Sequence, residues 1–345
     1  MARDDSLISL ADYERAAQRL LEQSAHAYLS GGAGDEITLR DNVRAWQRFA
    51  IQPRVLVGAP EPDLAVTVLG RSRAHPLIIA PMAAHRLADP DGEAATARAA
   101  AAADTVICVS TFADVGVTEL ARAVPASTRW FQLYVFRDRG LSDELIAQAV
   151  EHGYEALVVT VDLPVLGFRE RELRFPMDEA PADSAPLIDP SLNWQDIERF
   201  AANSPLPLVV KGILAPEDAR LALAHGARAV VVSNHGGRQL DTVLSSADAL
   251  TPIVDAVGDH IDVLVDGGIR RGTDVLKAMA LGARAVMIGR PILCGLAVGG
   301  AEGVRRVLEI LLSELETALM LAGVPRATEL ARSHLVGAPW VAELR

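Results

Sequence analysis

The chain has 345 residues, half of them hydrophobic, and a formal net charge of −12. That length and apolar content suffice for one large core of α/β-barrel size. The acidic balance speaks against a nucleic-acid partner, which would call for a basic stripe, so an acidic ligand must be held by a few local arginines. The two cysteines, Cys108 and Cys294, both lie inside apolar segments. They read as buried thiols of a reducing compartment, with neither a disulfide framework nor a metal-ligand spacing. Residues 1–5 lack the apolar core of a signal peptide. No run of about 18 apolar residues is present to span a membrane. A cytoplasmic location with no membrane partner is therefore expected.

Residues 7–30 read as helix. Leu7, Leu10, Tyr13, Ala17, Leu20 and Leu21 recur at helical spacing, Tyr28 falls in the last turn, and Gly31-Gly32 closes the segment. A second helix is predicted to begin at Asp35. The Pro- and Val-rich stretch 50–75 predicts small strands or a cover. Residues 1–75 are thus expected to form an N-terminal helical cap segment on residues 76–345, within one structural domain.

From residue 77 a regular alternation sets in. Short apolar runs at 77–80, 106–109, 130–135, 156–161, 207–210, 229–232, 263–265 and 285–288 alternate with amphipathic stretches. The latter lie at 92–103, 117–124, 141–152, 194–202, 215–226, 246–257, 271–281 and 303–322. Strand–helix alternation implies a parallel sheet, and eight units imply closure into a (β/α)8 barrel. The rival, a doubly wound open sheet, would carry a glycine-rich dinucleotide turn after its first strand; Ala80-Pro81-Met82-Ala83-Ala84 is not one. The connection 168–193, with Pro176, Pro181, Pro186 and Pro190, reads either as a lid over the functional face or as a plain surface excursion.

In such a barrel the C-terminal strand ends converge on one mouth. Polar residues there are Ser110 and Thr111, Gln132 and Tyr134, Thr160 and Asp162, Lys211, Ser233 and His235, and Asp266. Three of these pairs are spaced by two, so each pair faces one way. Any single member has the alternative of a satisfied buried polar group or a helix cap; together they suggest a polar site. The stretch 231–241 stands out, because an apolar strand gives way to a histidine, two glycines and Arg238. His235 reads as a general base and Arg238 as the cation holding an anionic substrate beside it. Asp266-Gly267-Gly268-Ile269-Arg270 and Gly289-Arg290-Pro291 follow the last two strands, where barrels of this kind place phosphate sites. The alternative there is ordinary loop glycine with surface arginine. Lys211 either stabilises negative charge on a bound ring or serves a structural salt bridge.

These residues resemble the FMN-dependent α-hydroxy acid oxidases and dehydrogenases, a family that includes lactate, glycolate and hydroxymandelate oxidases. The likeness rests on Ser233-Asn234-His235-Gly236-Gly237-Arg238-Gln239-Leu240-Asp241. It extends over Tyr28, residues 31–36, Ala80-Pro81-Met82-Ala83, Phe131-Gln132-Leu133-Tyr134, Thr160-Val161-Asp162, Lys211-Gly212, and the loops at 266–270 and 289–291.

The resemblance implies FMN as cofactor, with His235 as base, Asp162 paired to it and raising its pKa, and Tyr134 bonding the substrate hydroxyl. Tyr28, Arg238 and Arg169 would hold the substrate carboxylate. Lys211 would face the flavin, and Ala80, Pro81, Met82, Ala83, Ser110, Gln132 and Thr160 would surround it, with Ser233 nearby. Asp266, Gly267, Gly268, Arg270, Gly289 and Arg290 would hold the ribityl phosphate. The implied reaction converts a small (S)-2-hydroxy acid, of the lactate or mandelate type, to the 2-oxo acid, with O2 accepting the electrons to give H2O2 and with a homotetramer as the assembly. A dehydrogenase that passes electrons to a quinone or protein carrier, and a phosphate-ligand-binding barrel without turnover, are the alternatives. Phe112 stands where several short-chain oxidases have tryptophan, which reads either as a specificity role or as plain core packing. Substrate choice is expected to lie in Met82, Phe112, Val165 and the 168–193 loop.

Overall fold

A computed structural model describes residues 6–58, 61–177 and 187–338. The chain opens with α1 (Leu10–Leu20), α2 (Gln23–Ser30) and α3 (Ile37–Ala45), followed by β1 (Phe49–Ile51), β2 (Val66–Val68) and β3 (Arg71–Arg73). The single helix predicted over 7–30 is two helices. Leu21 leaves α1 in an extended conformation, and since neither Gly nor Pro marks the break, the periodicity runs through it unannounced. Ser9 starts α1 with a capping box closed by Asp12.

The barrel follows. Its strands are β4 (Leu77–Ile79), β5 (Val106–Ser110), β6 (Thr128–Leu133), β7 (Leu157–Thr160), β8 (Leu208–Ile213), β9 (Ala229–Val232), β10 (Asp262–Asp266) and β11 (Ala285–Ile288). They pair in parallel in sequence order, and β11 closes on β4 through Val286 opposite Leu77. Between and after them run α4 (Gly92–Ala102), α5 (Val117–Ala123), α6 (Arg139–Glu151), α7 (Glu170–Arg174), α8 (Trp194–Asn203), α9 (Pro216–Ala224), α10 (Ser246–Val257), α11 (Gly272–Ala280) and α12 (Arg290–Ala322). All eight expected strands are present. Every residue of β5, β7, β9 and β11 is buried, because the inward face packs the barrel core and the outward face is covered by helices.

Two parts of the chain differ from expectation. The last helix begins at Arg290 rather than near residue 303. It is interrupted at Gly299 and Gly300, which hide its first turns from a periodicity reading. The N-terminal segment also does two separate jobs. α3 lies against the turn after β9, over the C-terminal mouth. The β2–β3 hairpin instead seals the opposite end: Leu69 N–H donates to Asp262 Oδ2 (2.7 Å) at the start of β10, and Arg71 pairs with Glu155 (3.1 Å) just before β7. A last strand, β12 (Leu335–Gly337), pairs antiparallel with β1.

Of the 168–193 connection, 178–186, including Pro181 and Pro186, lie outside the described residues. The remainder forms α7 and a bridge between Phe136 and Ile188. Cys108 is buried, whereas Cys294 is only partly so. Among the described residues no helix is long and apolar enough to cross a membrane, and no His/Cys/Asp/Glu group could hold a metal ion.

Candidate active site

The turn after β9 is built from strained backbone. His235, Gly236 and Gly237 all have positive φ, at 58°, 64° and 75°. Two glycines adopt this region freely, but a histidine pays for it. The surroundings hold the turn in place. Ser233 Oγ accepts from His235 N–H (3.1 Å), and Asn234 Oδ1 accepts from Gly237 N–H (3.1 Å). A Cβ on Gly237 would lie 2.7 Å from Leu39 N, so only glycine lets α3 approach this closely. Asp241, at the end of the motif, caps α3 by accepting from Ile37 and Thr38 N–H (3.2 and 2.8 Å). Gln239 donates to the carbonyls of Asp162 and Val165 (3.0 and 2.8 Å), which fastens the loop after β7.

His235 Nδ1 lies 2.9 Å from Asp162 Oδ1, and Nε2 lies 3.2 Å from the Tyr134 hydroxyl. With Nδ1–H donating to Asp162, Nε2 is the unprotonated nitrogen and accepts from the Tyr134 hydroxyl. Burial lowers the His235 pKa, with Lys211 and Arg169 adding to the effect; Asp162 acts the other way but does not outweigh burial. Asp162 thus raises the His235 pKa as expected, but burial outweighs it and the imidazole rests neutral. Burial alone would raise the Asp162 carboxyl, but His235 and Lys211 together hold it below the usual carboxylate range. The Tyr134 hydroxyl is pushed up by burial and then by the Asp162 charge, so it stays protonated. Gly212 makes room for this group: its φ is +111°, and a Cβ there would sit 2.6 Å from the Asp162 side chain.

Lys211 Nζ lies 2.9 Å from Ser233 Oγ and 3.1 Å from Asp266 Oδ2. Burial opposes its charge, but Asp266 and Asp162 prevail and raise its pKa, so it remains an ammonium. Arg238 stacks over the Tyr28 ring at 5.1 Å and donates through Nη1 to the carbonyls of Tyr28 (2.6 Å) and Gly31 (3.3 Å). Arg169 donates to Arg238 O (3.1 Å) and Gln239 Oε1 (3.2 Å). Arg290, at the N-terminus of α12, donates to Gly236 O (2.9 Å) and Gly31 O (2.6 Å). Arg270 pairs with Glu14 of α1.

These groups border one cavity of about 780 Å³, within the range of cofactor sites. It is lined by Tyr28, Ala80, Pro81, Met82, Ala83, Ser110, Phe112, Tyr134, Thr160, Arg169, Lys211, His235, Arg238, Asp266, Gly267, Gly268, Arg270, Gly289 and Arg290. Three expected site residues do not reach it. Asp162 stands behind His235, Ser233 behind Lys211, and Gln132 is buried in β6. Val165 is two-thirds exposed and its neighbour Leu166 lines the cavity instead. Residues that sequence reading did not single out also line it, among them Glu172, Phe175 and Ile188. They come from the irregular connection after β7, where no periodicity says which side chains turn inward.

The donor set fits a flavin mononucleotide. Thr160 Oγ1, Asp266 Oδ1 and Arg290 Nε, all on residues that line the cavity, are buried with no partner in the protein, although such groups are nearly always paired. The Arg290 pKa is pushed down to about 9 by burial and then by Arg238 and Arg270, a repulsion that a bound phosphate would relieve. Positive φ at Gly267 and Gly268 turns the β10 loop toward the cavity.

Comparison with known proteins agrees with this geometry. The model of the FMN-dependent dehydrogenase family matches residues 17–182 and 176–337. The chain belongs to the FMN-dependent dehydrogenase family. An L-lactate oxidase from Nostoc sp. is 45% identical, over 97% of this chain and 100% of that one. Human 2-hydroxyacid oxidase 2 is 42% identical, over 95% and 98%. Among solved structures, mandelate oxidase with (S)-2-phenylpropionate has a TM-score of 0.90 at 42% identity, covering 95% and 98% of the two chains. A soluble mutant of the membrane-associated (S)-mandelate dehydrogenase from Pseudomonas putida has a TM-score of 0.92 at 36% identity, covering 96% and 99%. Both oxidases and dehydrogenases therefore occur among the FMN-dependent relatives of this chain.

Proposed function

We propose that this chain is an FMN-dependent (S)-2-hydroxy acid oxidase, which converts a 2-hydroxy acid and O2 to the 2-oxo acid and H2O2. The observation that carries this reading is the placement of His235 Nε2, backed by Asp162, in the same cavity as Arg238 and Lys211. When bound, FMN supplies the acceptor for the two electrons leaving the substrate. Thr160, which lines the cavity, would meet its polar ring edge. Asp266 Oδ1, a carboxylate oxygen, would accept from a ribityl hydroxyl, and Arg270, Arg290, Gly268 and Gly289 would surround the phosphate. Lys211 brings a fixed positive charge to the ring end of the cavity.

The protein's own groups account for acid–base chemistry and positioning. Arg238 and Tyr28, with Arg169, hold the substrate carboxylate and so fix the α-carbon. His235 Nε2 takes one proton from the substrate, and Asp162 stabilises the imidazolium that results. The Tyr134 hydroxyl, held neutral, donates to or accepts from the substrate hydroxyl. The stacked pair Phe112 and Tyr134, with ring centroids 5.2 Å apart, packs in one apolar cluster with Leu163 and Ile188. This cluster supports an acid with an apolar or aryl side chain, of the mandelate or hydroxymandelate type, over glycolate.

Anaerobic mixing of the holoenzyme with lactate, glycolate, mandelate and 4-hydroxymandelate tests the reading. Bleaching of the flavin by at least one acid is expected, and bleaching by none would leave a binding barrel without turnover. The high structural similarity to (S)-mandelate dehydrogenase favours one second reading, a dehydrogenase with a quinone or protein acceptor. Stopped-flow re-oxidation in air separates the two, since slow re-oxidation rejects the oxidase. A cytoplasmic homotetramer completes the proposal; light scattering tests the assembly and cell fractionation the location.

A further inference from the structure

Glu172 sits where a substrate carboxylate is needed. Its Oε1 lies 3.1 Å from Arg238 Nη2 and 3.7 Å from Arg169 Nη1, and its side chain lines the active-site cavity. Arg238 Nη1 already donates to the carbonyls of Tyr28 and Gly31. A two-point grip on a carboxylate by this guanidinium must therefore use Nη2, the nitrogen that Glu172 engages. All three side chains are more than three-quarters buried, so a second carboxylate brought to Nη2 meets an unscreened like charge.

We propose that Glu172 is an internal competitor for the substrate carboxylate and thereby sets the affinity of the site for 2-hydroxy acids. The proposal rests on the assignment of Arg238 and Arg169 to that carboxylate. α7 is held from both sides. Arg171 pairs with Glu36 and donates to Ser30 Oγ (3.2 Å), and Arg169 is bonded to Arg238 O. Displacement thus falls on the Glu172 side chain rather than on the helix. The consequence is a site that presents no naked pair of arginines to stray anions and opens only to a ligand that outbids a tethered carboxylate.

Glu172→Gln keeps the volume and removes the charge. Two quantities are read on the holoenzyme: steady-state KM and kcat with the best 2-hydroxy acid, and the dissociation constant of oxalate from its perturbation of flavin absorbance. Both KM and the oxalate constant are expected to fall about tenfold, the scale of one partly buried charge contact, with the change in KM rather than kcat. Glu170→Gln, which removes an exposed charge paired with Arg174 on the same helix, is expected to change neither. Glu172→Ala gives the same reading should the glutamine variant fold poorly. Unchanged or weakened oxalate binding in both Glu172 variants overturns the proposal, and a raised KM would make Glu172 a support for the arginines instead. If no 2-hydroxy acid reduces the wild-type flavin, the functional reading fails, while the oxalate titration still decides the role of Glu172.

Discussion

Asn42 and Asn234, 192 positions apart, exchange two side-chain hydrogen bonds of 2.9 and 2.8 Å. Both residues are buried, and the pair fastens α3 to the turn that carries His235. Asn234 also donates to Leu244 O and accepts from Gly237 N–H, so one amide organises the whole turn.

Asn42→Ala removes two of the four hydrogen bonds of the buried Asn234 amide and leaves one of its N–H groups unpaired. A loss of about 1–3 kcal/mol of stability is expected, together with a fall in turnover larger than the stability loss explains, because His235 sits in a backbone conformation that needs support. Urea unfolding and turnover on the same preparation check this; unchanged turnover in a destabilised variant would confine Asn42 to a structural role.

The His235–Asp162 pair predicts a pH profile. His235 is neutral above a pKa depressed by burial, so the rate of anaerobic flavin reduction should rise through an acid limb below the ordinary histidine range and level off toward neutrality. Asp162 is the group that raises this pKa. Asp162→Asn should therefore move the limb further to acid and cut the plateau rate by about 10²–10⁴-fold. A limb displaced toward alkaline pH, or a plateau close to wild type, would reject the pairing.

Arg290 predicts a crossing of apo and holo stabilities. Its charge is disfavoured in the free site, where burial, Arg238 and Arg270 push its pKa down to about 9. Arg290→Gln should leave the apo protein as stable as wild type or more so, while weakening FMN binding by about 10–100-fold, the worth of one charge-assisted contact. Thermal melts with and without FMN, and fluorescence titration of FMN, read both arms. FMN affinity equal to wild type would remove Arg290 from the phosphate site.

His85 predicts acid sensitivity away from the chemistry. It is buried, its Nδ1 lies 2.9 Å from Thr96 Oγ1, and burial lowers its pKa to about 4. The unfolded chain binds the proton at about pH 6.5, so between pH 6.5 and about 4 the unfolded state holds more protons than the folded one and stability declines as pH falls. The decline from this residue is on the order of 3 kcal/mol. His85→Asn, which retains a partner for Thr96, should flatten the acid side of a Tm–pH curve. An unaltered slope would assign the acid sensitivity to other groups.

The barrel was legible because each strand is buried on both faces and so reads as an apolar run, and because the polar residues that interrupt those runs gather at one mouth. The site residues borne on strand ends, Tyr134, Thr160, Lys211, His235 and Asp266, were visible for the same reason. What could not be read are contacts between distant segments. Nothing local to Asn42 says that it meets Asn234, and nothing in Glu170-Arg171-Glu172 says that the second glutamate turns inward onto Arg238. The start of α12 was hidden by Gly299-Gly300. The sign of the His235 shift depended on how deeply the ring is buried, which no motif encodes.

The carbonyl of Gly31 accepts from both Arg238 and Arg290, while Ala33 N–H donates to Gly237 O (2.8 Å) and Gly34 N–H to Phe168 O (2.9 Å). The segment ahead of the barrel thus supplies backbone, and the Tyr28 side chain, to a site whose charged groups come from the barrel and its loops. Grafting the 233–241 turn onto another eight-stranded scaffold would transfer the histidine and the arginine without the frame that aims them. For protein engineering the portable unit is the pair of segments 28–42 and 233–241 carried together.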